Sequence, residues 1–173
     1  MSNFKEHLTR IKAFVFDIDG VLSVQTINLN TFGVPTRTIN LRDGYALQLA
    51  VKKGYRVAVI TGSNSKEYSK RLKMLGITDV YLNSRMKQDH FRRFVEKYNL
   101  DSSQVLYMGD DIPDYEVMRN SGVAVCPSDA DSEIKQISSY ISDKKGGEGC
   151  VRDIIEQVLR LHDNWMDSDA FNW

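Results

Sequence analysis

Two aspartates separated by one residue and followed by glycine, Asp17-Ile18-Asp19-Gly20, are the first residues with chemistry in them. A carboxylate at Asp17 can attack a phosphoryl group to give an aspartyl phosphate. Asp19, two positions on along an extended segment, points to the same side. It can protonate the leaving oxygen and then activate water for the second step. Thr61 offers a hydroxyl to a phosphoryl oxygen, with the Gly62 amide near a helix start beside it. A cation is needed against the developing charge, and Lys87, in Asn83-Ser84-Arg85-Met86-Lys87, is the best placed lysine. Lys66, Lys70 and Lys73 compete with it, and they suit the bland role of solvating a helix face. Asp110, Asp111 and Asp114 add further acids, although Asp114 also suits the first turn of a helix, where the dipole favours it. Clustered carboxylates repel and are costly to desolvate, so they require a neutralising cation. A small set of hard oxygen ligands suits Mg²⁺, which keeps several waters and binds substrate phosphate.

The elements that must position these residues alternate along the chain. Short apolar runs at 13–16, 56–60, 79–82, 104–108 and 123–125 read as parallel strands buried on both faces. Between and after them lie helical patterns at about 43–54, 64–75, 87–98, 113–120, 131–138 and 149–162. Strand and helix in regular order predict an α/β doubly wound parallel sheet, whose ligands sit at the carboxyl ends of the strands. Asp17 and Asp19, Thr61, and Asp110 to Asp114 all fall at such ends. Residues 24–42 break the rhythm. Both flanks alternate apolar and polar residues around Phe32-Gly33-Val34-Pro35, which predicts a β-hairpin inserted after the first strand. The division expected is one domain over residues 1–163, with a tail at 164–173 carrying Trp165, Phe171 and Trp173.

Length and composition bound the rest. The 173 residues fit one domain, and 42% hydrophobic residues can fill a core without staples. Lys+Arg 23 against Asp+Glu 23 gives a formal charge of zero, which argues against nucleic-acid binding through the overall field. The balance is uneven: residues 52–93 hold 11 basic and 3 acidic side chains, and residues 101–173 hold 6 and 15. Two cysteines, Cys126 and Cys150, fit a reduced compartment, and Cys126 reads as a small buried hydrophobe. His7, His90 and His162 fit no ligand pattern. No signal peptide or membrane-length apolar run appears, so a soluble cytoplasmic protein with no membrane partner is expected.

Phe16-Asp17-Ile18-Asp19-Gly20-Val21-Leu22, Ile60-Thr61-Gly62, Lys87 and Gly109-Asp110-Asp111-x-x-Asp114 resemble, in order, the four motifs of the haloacid dehalogenase (HAD) superfamily of phosphatases. Within it, the stretch from Gly33 to Asp43-Gly44-Tyr45 and the later Gly146-Gly147-x-Gly149-x-x-Arg152 are similar to the family of 3-deoxy-D-manno-octulosonate 8-phosphate (KDO 8-phosphate) phosphatases, small members without a cap domain. The resemblance implies Asp17 as nucleophile, Asp19 as acid and base, and Thr61 and Lys87 as phosphate holders. Mg²⁺ would lie on the Asp17 carboxylate, the Asp19 backbone carbonyl and Asp110. Asp111 and Asp114 would orient metal-bound water and Lys87. It implies a homotetramer acting on a small anionic sugar phosphate in lipopolysaccharide precursor synthesis, with Gly62, Arg42, Asp43 and Arg152 near the substrate. The three glycines suit either a loop or ligand proximity, and Arg152 either a helix surface or the site. The tail aromatics either fold on their own subunit or dock on a neighbour. Ser63, Arg37, Val34 and Asp153 depart from the family pattern, at positions expected to lie outside the phosphoryl-transfer set.

Two other readings compete. A nine-carbon sugar acid 9-phosphate would suit the same machinery. A phosphoacceptor signalling domain uses similar residue types, but it places its acceptor after the third strand, where this chain has Asn83-Ser84. A dinucleotide-binding enzyme would need G-x-G-x-x-G after the first strand.

Overall fold

The apolar runs become a six-stranded, wholly parallel sheet in the computed structural model, which describes residues 3–173. Its main strands are β1 (Ala13–Phe16), β4 (Arg56–Ile60), β5 (Asp79–Tyr81), β6 (Val105–Met108) and β7 (Val123–Cys126). Two further strands, β2 (Asn28–Leu29) and β3 (Pro35–Thr36), stand apart, and β8 (Tyr140–Ile141) closes one edge of the sheet. The order β5-β4-β1-β6-β7-β8 places β1 between β4 and β6, with Ala13 opposite both Arg56 and Val105. The chain therefore reverses its direction of winding next to β1, and a crevice opens at the carboxyl ends of β1, β4 and β6.

Successive β1 side chains feed two cores. Phe14 and Phe16 pack with α1 (Phe4–Leu8), α2 (Leu41–Lys52), α3 (Lys66–Met74) and α7 (Cys150–Leu161) on one face. Ala13 and Val15 pack with α4 (Lys87–Lys97), α5 (Tyr115–Asn120) and α6 (Ser132–Ile137) on the other. All four β1 residues are buried, which is why an apolar run without alternation forms this strand. The Asn40 side chain caps α2, accepting from the Arg42 and Asp43 amides.

The elements missed by sequence are those too short for a period. Helix α1 has five residues and β8 only two. The stretch expected as a helix at 113–120 starts as a 3-10 turn, Ile112–Asp114, because Asp111 caps it and Pro113 follows at its first turn. Only two residue pairs form a ladder within 24–42, Asn28 with Thr36 and Leu29 with Pro35. Pro35 has no amide to donate, and both strands lie exposed with no third strand beside them. The Asn30 side chain closes the tip by accepting from the Phe32 and Val34 amides.

Residues 164–173 fold back on their own chain. The Tyr45 ring on α2 meets Trp165 and Trp173 edge-on, and its hydroxyl donates to the Ala170 carbonyl.

Candidate active site

A cleft of about 1070 Å³ lies over the carboxyl ends of β1, β4 and β6. Asp17, Asp19, Thr61, Gly62, Lys87, Asp110, Asp111 and Asp114 all line it. Four separate segments thus meet at one place, each delivered by a strand end or by the start of α4.

Lys87 is the centre of the cluster. Its ammonium donates to Asp17 Oδ2 at 2.6 Å and to Asp114 Oδ1 at 2.7 Å, and all three residues are buried. Burial disfavours charge on Lys87, but the fields of Asp114 and Asp17 outweigh it and hold the ammonium above its ordinary range. Asp114 is held on both oxygens: Oδ1 also accepts from the Tyr107 hydroxyl at 2.7 Å, and Oδ2 accepts from the Asp110 amide at 3.3 Å. Lys66, Lys70 and Lys73 stay exposed on or beside the outer face of α3. Thr61 is buried, and its Oγ1 accepts from the Ser63 amide.

Asp17, Asp110 and Asp114 each bring a carboxylate oxygen within 4.8 Å of the others. Burial, and then the field of Asp114, push Asp17 up to about 7; burial, and then the field of Asp17, push Asp110 up to about 8. Carboxylates this reluctant to ionise are short of positive charge. Asp114 accepts three hydrogen bonds, against two for Asp17 and one for Asp110, so Asp17 and Asp110 have the most capacity left for a hard divalent cation. The site fits one.

Close packing makes this geometry specific. Gly20 has φ +79°, and a Cβ there would sit 1.9 Å from Asp110 Oδ2. A Cβ on Gly146 would sit 1.9 Å from the Gly20 carbonyl oxygen. The late glycines therefore buttress the loop that carries Asp19, and the Gly147 amide donates to the Val21 carbonyl at 2.7 Å.

Four sequence expectations change. Arg37 and Ser63, read as lying outside the phosphoryl-transfer set, touch it: Arg37 Nε and Nη2 grip the Asp19 oxygens at 2.6 and 2.9 Å, and Ser63 bonds Thr61. Asp111 does not orient Lys87; it accepts from the Ile112 amide. Asp43 does not line the cleft. It is buried in the first turn of α2, and Oδ1 accepts from the Arg152 amide at 2.7 Å, so it caps α7, whose preceding Gly149 has no side chain to do so. Arg42 and Arg152 line a separate cavity of about 680 Å³, where the Arg152 guanidinium lies over Trp165. Sequence reasoning also missed Gln25, which reaches Asp110 Oδ2 at 3.5 Å, and Tyr107. Neither carries a motif, since one is a flap residue and the other a strand apolar position.

The raised carboxyls set a testable pH dependence. Asp17 and Asp110 hold protons in the folded state that the unfolded chain releases near 3.8. Their contribution to stability is full below that value and is lost as pH rises through about 7 and 8. A divalent cation must displace those protons, so the thermal stabilisation by Mg²⁺ should grow from pH 5.5 to pH 8. Asp110→Asn should remove most of that growth. Melting curves with chelator and with excess Mg²⁺ measure it; an increment independent of pH, or unchanged in Asp110→Asn, contradicts the assignment.

Residues 36–122 match the family model of haloacid dehalogenase-like hydrolases. The 3-deoxy-D-manno-octulosonate 8-phosphate phosphatase KdsC of Escherichia coli (strain K12) is 34% identical over 149 residues, covering 86% of this chain and 79% of that protein. The KdsC of Yersinia pestis is 30% identical over 158 residues, covering 91% of this chain and 84% of its own. The crystal structure of the Moraxella catarrhalis 3-deoxy-D-manno-octulosonate 8-phosphate phosphatase, in complex with magnesium, phosphate and KDO, superimposes with a TM-score of 0.91 at 32% identity. It covers 99% of this chain and 97% of that one. With its motif residues gathered in one cleft and these relatives matching nearly its whole length, the chain belongs to the haloacid dehalogenase-like hydrolases, in the family of the 3-deoxy-D-manno-octulosonate 8-phosphate phosphatases.

Proposed function

We propose that this phosphatase hydrolyses 3-deoxy-D-manno-octulosonate 8-phosphate through an aspartyl phosphate on Asp17. The observation that carries the reading is Lys87 bridging buried Asp17 and Asp114 within reach of Asp110 and Thr61. Mg²⁺, the ion in the Moraxella catarrhalis complex, would be held by Asp17 and Asp110 with the Asp19 backbone carbonyl. When bound it neutralises the acids and polarises a phosphoryl oxygen.

An Asp17 oxygen attacks phosphorus and the bond to the sugar oxygen breaks. Asp19 gives its proton to that oxygen and then takes one from the water that cleaves the acyl phosphate, releasing phosphate and restoring Asp17. Lys87, the Thr61 hydroxyl and the Gly62 amide hold the phosphoryl oxygens as charge builds. Asp114 acts through Lys87, fixing the ammonium that faces the nucleophile. Arg37 grips both Asp19 oxygens in the free enzyme, which favours the ionised form; with substrate bound, one of the two bonds opens so that this oxygen carries the proton, and the other bond fixes the carboxyl's direction.

The substrate reading rests on the relatives' names and on the KDO bound in the Moraxella catarrhalis structure. In this reading the enzyme serves lipopolysaccharide precursor synthesis in the cytoplasm. No helix among the described residues is long and apolar enough to cross a membrane. The homotetramer finds support in the flap, where Phe32 is 88% and Leu29 65% exposed. Apolar side chains so placed suit burial against other copies. Arg42 and Arg152 act on substrate in this reading only through such an assembly.

Phosphate release from KDO 8-phosphate should require Mg²⁺ and vanish in Asp17→Asn, while Asp19→Asn should lose about 10²- to 10⁴-fold in kcat. The kcat/KM for KDO 8-phosphate should exceed that for nine-carbon 2-keto-3-deoxy acid 9-phosphates; the reverse ranking reassigns the substrate and leaves the chemistry intact.

Arg37→Ala should slow phosphoryl transfer from alkyl phosphates by about tenfold or more. It should change the burst of phenolate from an activated aryl phosphate little, because that leaving group needs no proton. Equal losses on both esters would remove Arg37 from the positioning of Asp19.

Sedimentation at low micromolar concentration should show a tetramer, reduced in Phe32→Asp. A wild-type monomer contradicts it.

A further inference from the structure

A second cavity, of about 700 Å³, lies at the opposite end of the sheet. Lys12 immediately precedes β1, Arg56 opens β4 and Gln104 immediately precedes β6, so this cavity sits at the amino ends of the strands whose carboxyl ends carry the acids. Four residues of β1 separate the two sites by about 13 Å. The size falls within the range of about 300–1,000 Å³ typical of small-molecule sites.

Its lining is one-sided in charge. Arg10, Lys12, Lys53 and Arg56 face it and no aspartate or glutamate does, in a chain with as many acids as bases. Lys53 is engaged by Asp167 and Asp169. Arg10, Lys12 and Arg56 have no carboxylate partner within ion-pair distance among the described residues. Elsewhere the same chain does pair its cations with acids: Lys97, one residue from Tyr98 in the cavity wall, binds Asp79 at 2.6 Å. The Arg56 guanidinium is held 4.6 Å from the centre of the Tyr98 ring, which fixes its place without neutralising it. His162 anchors the other wall, bonded to the Tyr55 hydroxyl and, through Nε2, to the Thr9 carbonyl at 3.0 Å. A concave surface lined by charges of one sign concentrates anions. Three cations that line one cavity, from two strand ends and the turn before β1, match an anion with several charges better than a single carboxylate.

We propose that this basic cavity, remote from the catalytic cleft, binds a polyphosphate anion, as a free oligophosphate or as the phosphate chain of a nucleotide. The binding is independent of the reaction assigned to the acidic cleft, so either can fail without the other.

Calorimetric titration of the full chain without added divalent cation decides it, with inorganic triphosphate and ATP as separate probes. Triphosphate should bind at one site with Kd below about 1 mM, and the affinity should fall as salt is added. The double variant Lys12→Ala/Arg56→Ala should bind at least about tenfold more weakly while its phosphatase turnover stays within about twofold, since neither residue belongs to the cleft. Should that variant melt early, Arg10→Glu, on an exposed turn, should give the same loss in a fold that is left intact. Equal affinity for ATP and triphosphate assigns the site to the phosphate chain alone, and tighter ATP assigns it to a nucleotide. No saturable binding of either probe, or binding unchanged in both variants, overturns the proposal.

Discussion

A single buried ammonium holds the catalytic end of this molecule together. Lys87 lies between Asp17 and Asp114, and without it two buried carboxylates would face each other at the floor of the cleft. Removing one partner of such a group leaves an uncompensated buried charge, which is far more costly than losing a surface pair. The neighbouring elements are arranged around that need. Tyr107, inside β6, gives its hydroxyl to Asp114, and the Asp110 amide takes the other Asp114 oxygen. Asp114 and Lys87 are thus fixed in place, and Asp17 is left with one oxygen on Lys87 and the other on the Ile18 amide at 2.6 Å. One positive charge cannot satisfy Asp17, Asp110 and Asp114 together. The shortage is what raises the Asp17 and Asp110 carboxyls, and it is also what makes the cleft a place for a divalent ion.

The same site shows why a small domain of this kind uses so many glycines around its chemistry. The loop after β1 must bring Asp19 outward while Asp110 comes in beneath it, and only a residue without Cβ fits between. Gly146 then approaches the Gly20 carbonyl from the other side, so the loop before α7 presses on the loop after β1. Asp43 extends this chain of contacts. It caps α7 through the Arg152 amide, joining α2 to the helix whose preceding loop supports the motif. A residue expected near substrate instead determines where the supporting loop lies. Its Oδ2 is buried with no hydrogen-bond partner among the described residues, and burial pushes this carboxyl up to about 6.

Much of this was legible in the sequence because buried parallel strands leave unbroken apolar runs, and because strand ends in such sheets meet at a switch point. Asp17, Thr61, Lys87 and Asp110 could be placed on one rim without coordinates. What stayed hidden depended on contacts between segments far apart in the chain. Arg37 lies 18 residues from Asp19, and Gln25 lies 85 residues from Asp110. Neither spacing follows any period. The flap, residues 24–42, was misjudged in extent for a related reason: β-propensity reports fit to a half-buried pleated surface, and among the described residues no third strand or helix covers the two-pair ladder in this segment. Strand β8 was missed because two residues at a sheet edge carry no alternation to detect.

The sheet therefore has two electrostatic ends. Sequence alone showed the basic excess of residues 52–93 and the acidic excess of residues 101–173, most of which suits solvated helix faces. The fold divides the remaining bases between two ends. Of the basic residues in that segment, Lys87 and Arg85 reach the acidic cleft, while Lys53 and Arg56 face the cavity at the amino ends. The cleft that handles phosphate is thus acidic and relies on an added cation, whereas the opposite end is basic and needs none. A phosphoryl-transfer site gains from this division. Extra lysines beside Asp17 and Asp110 would satisfy the carboxylates with protein charge and leave no capacity for the metal, so the surplus cations belong where they cannot compete for those oxygens.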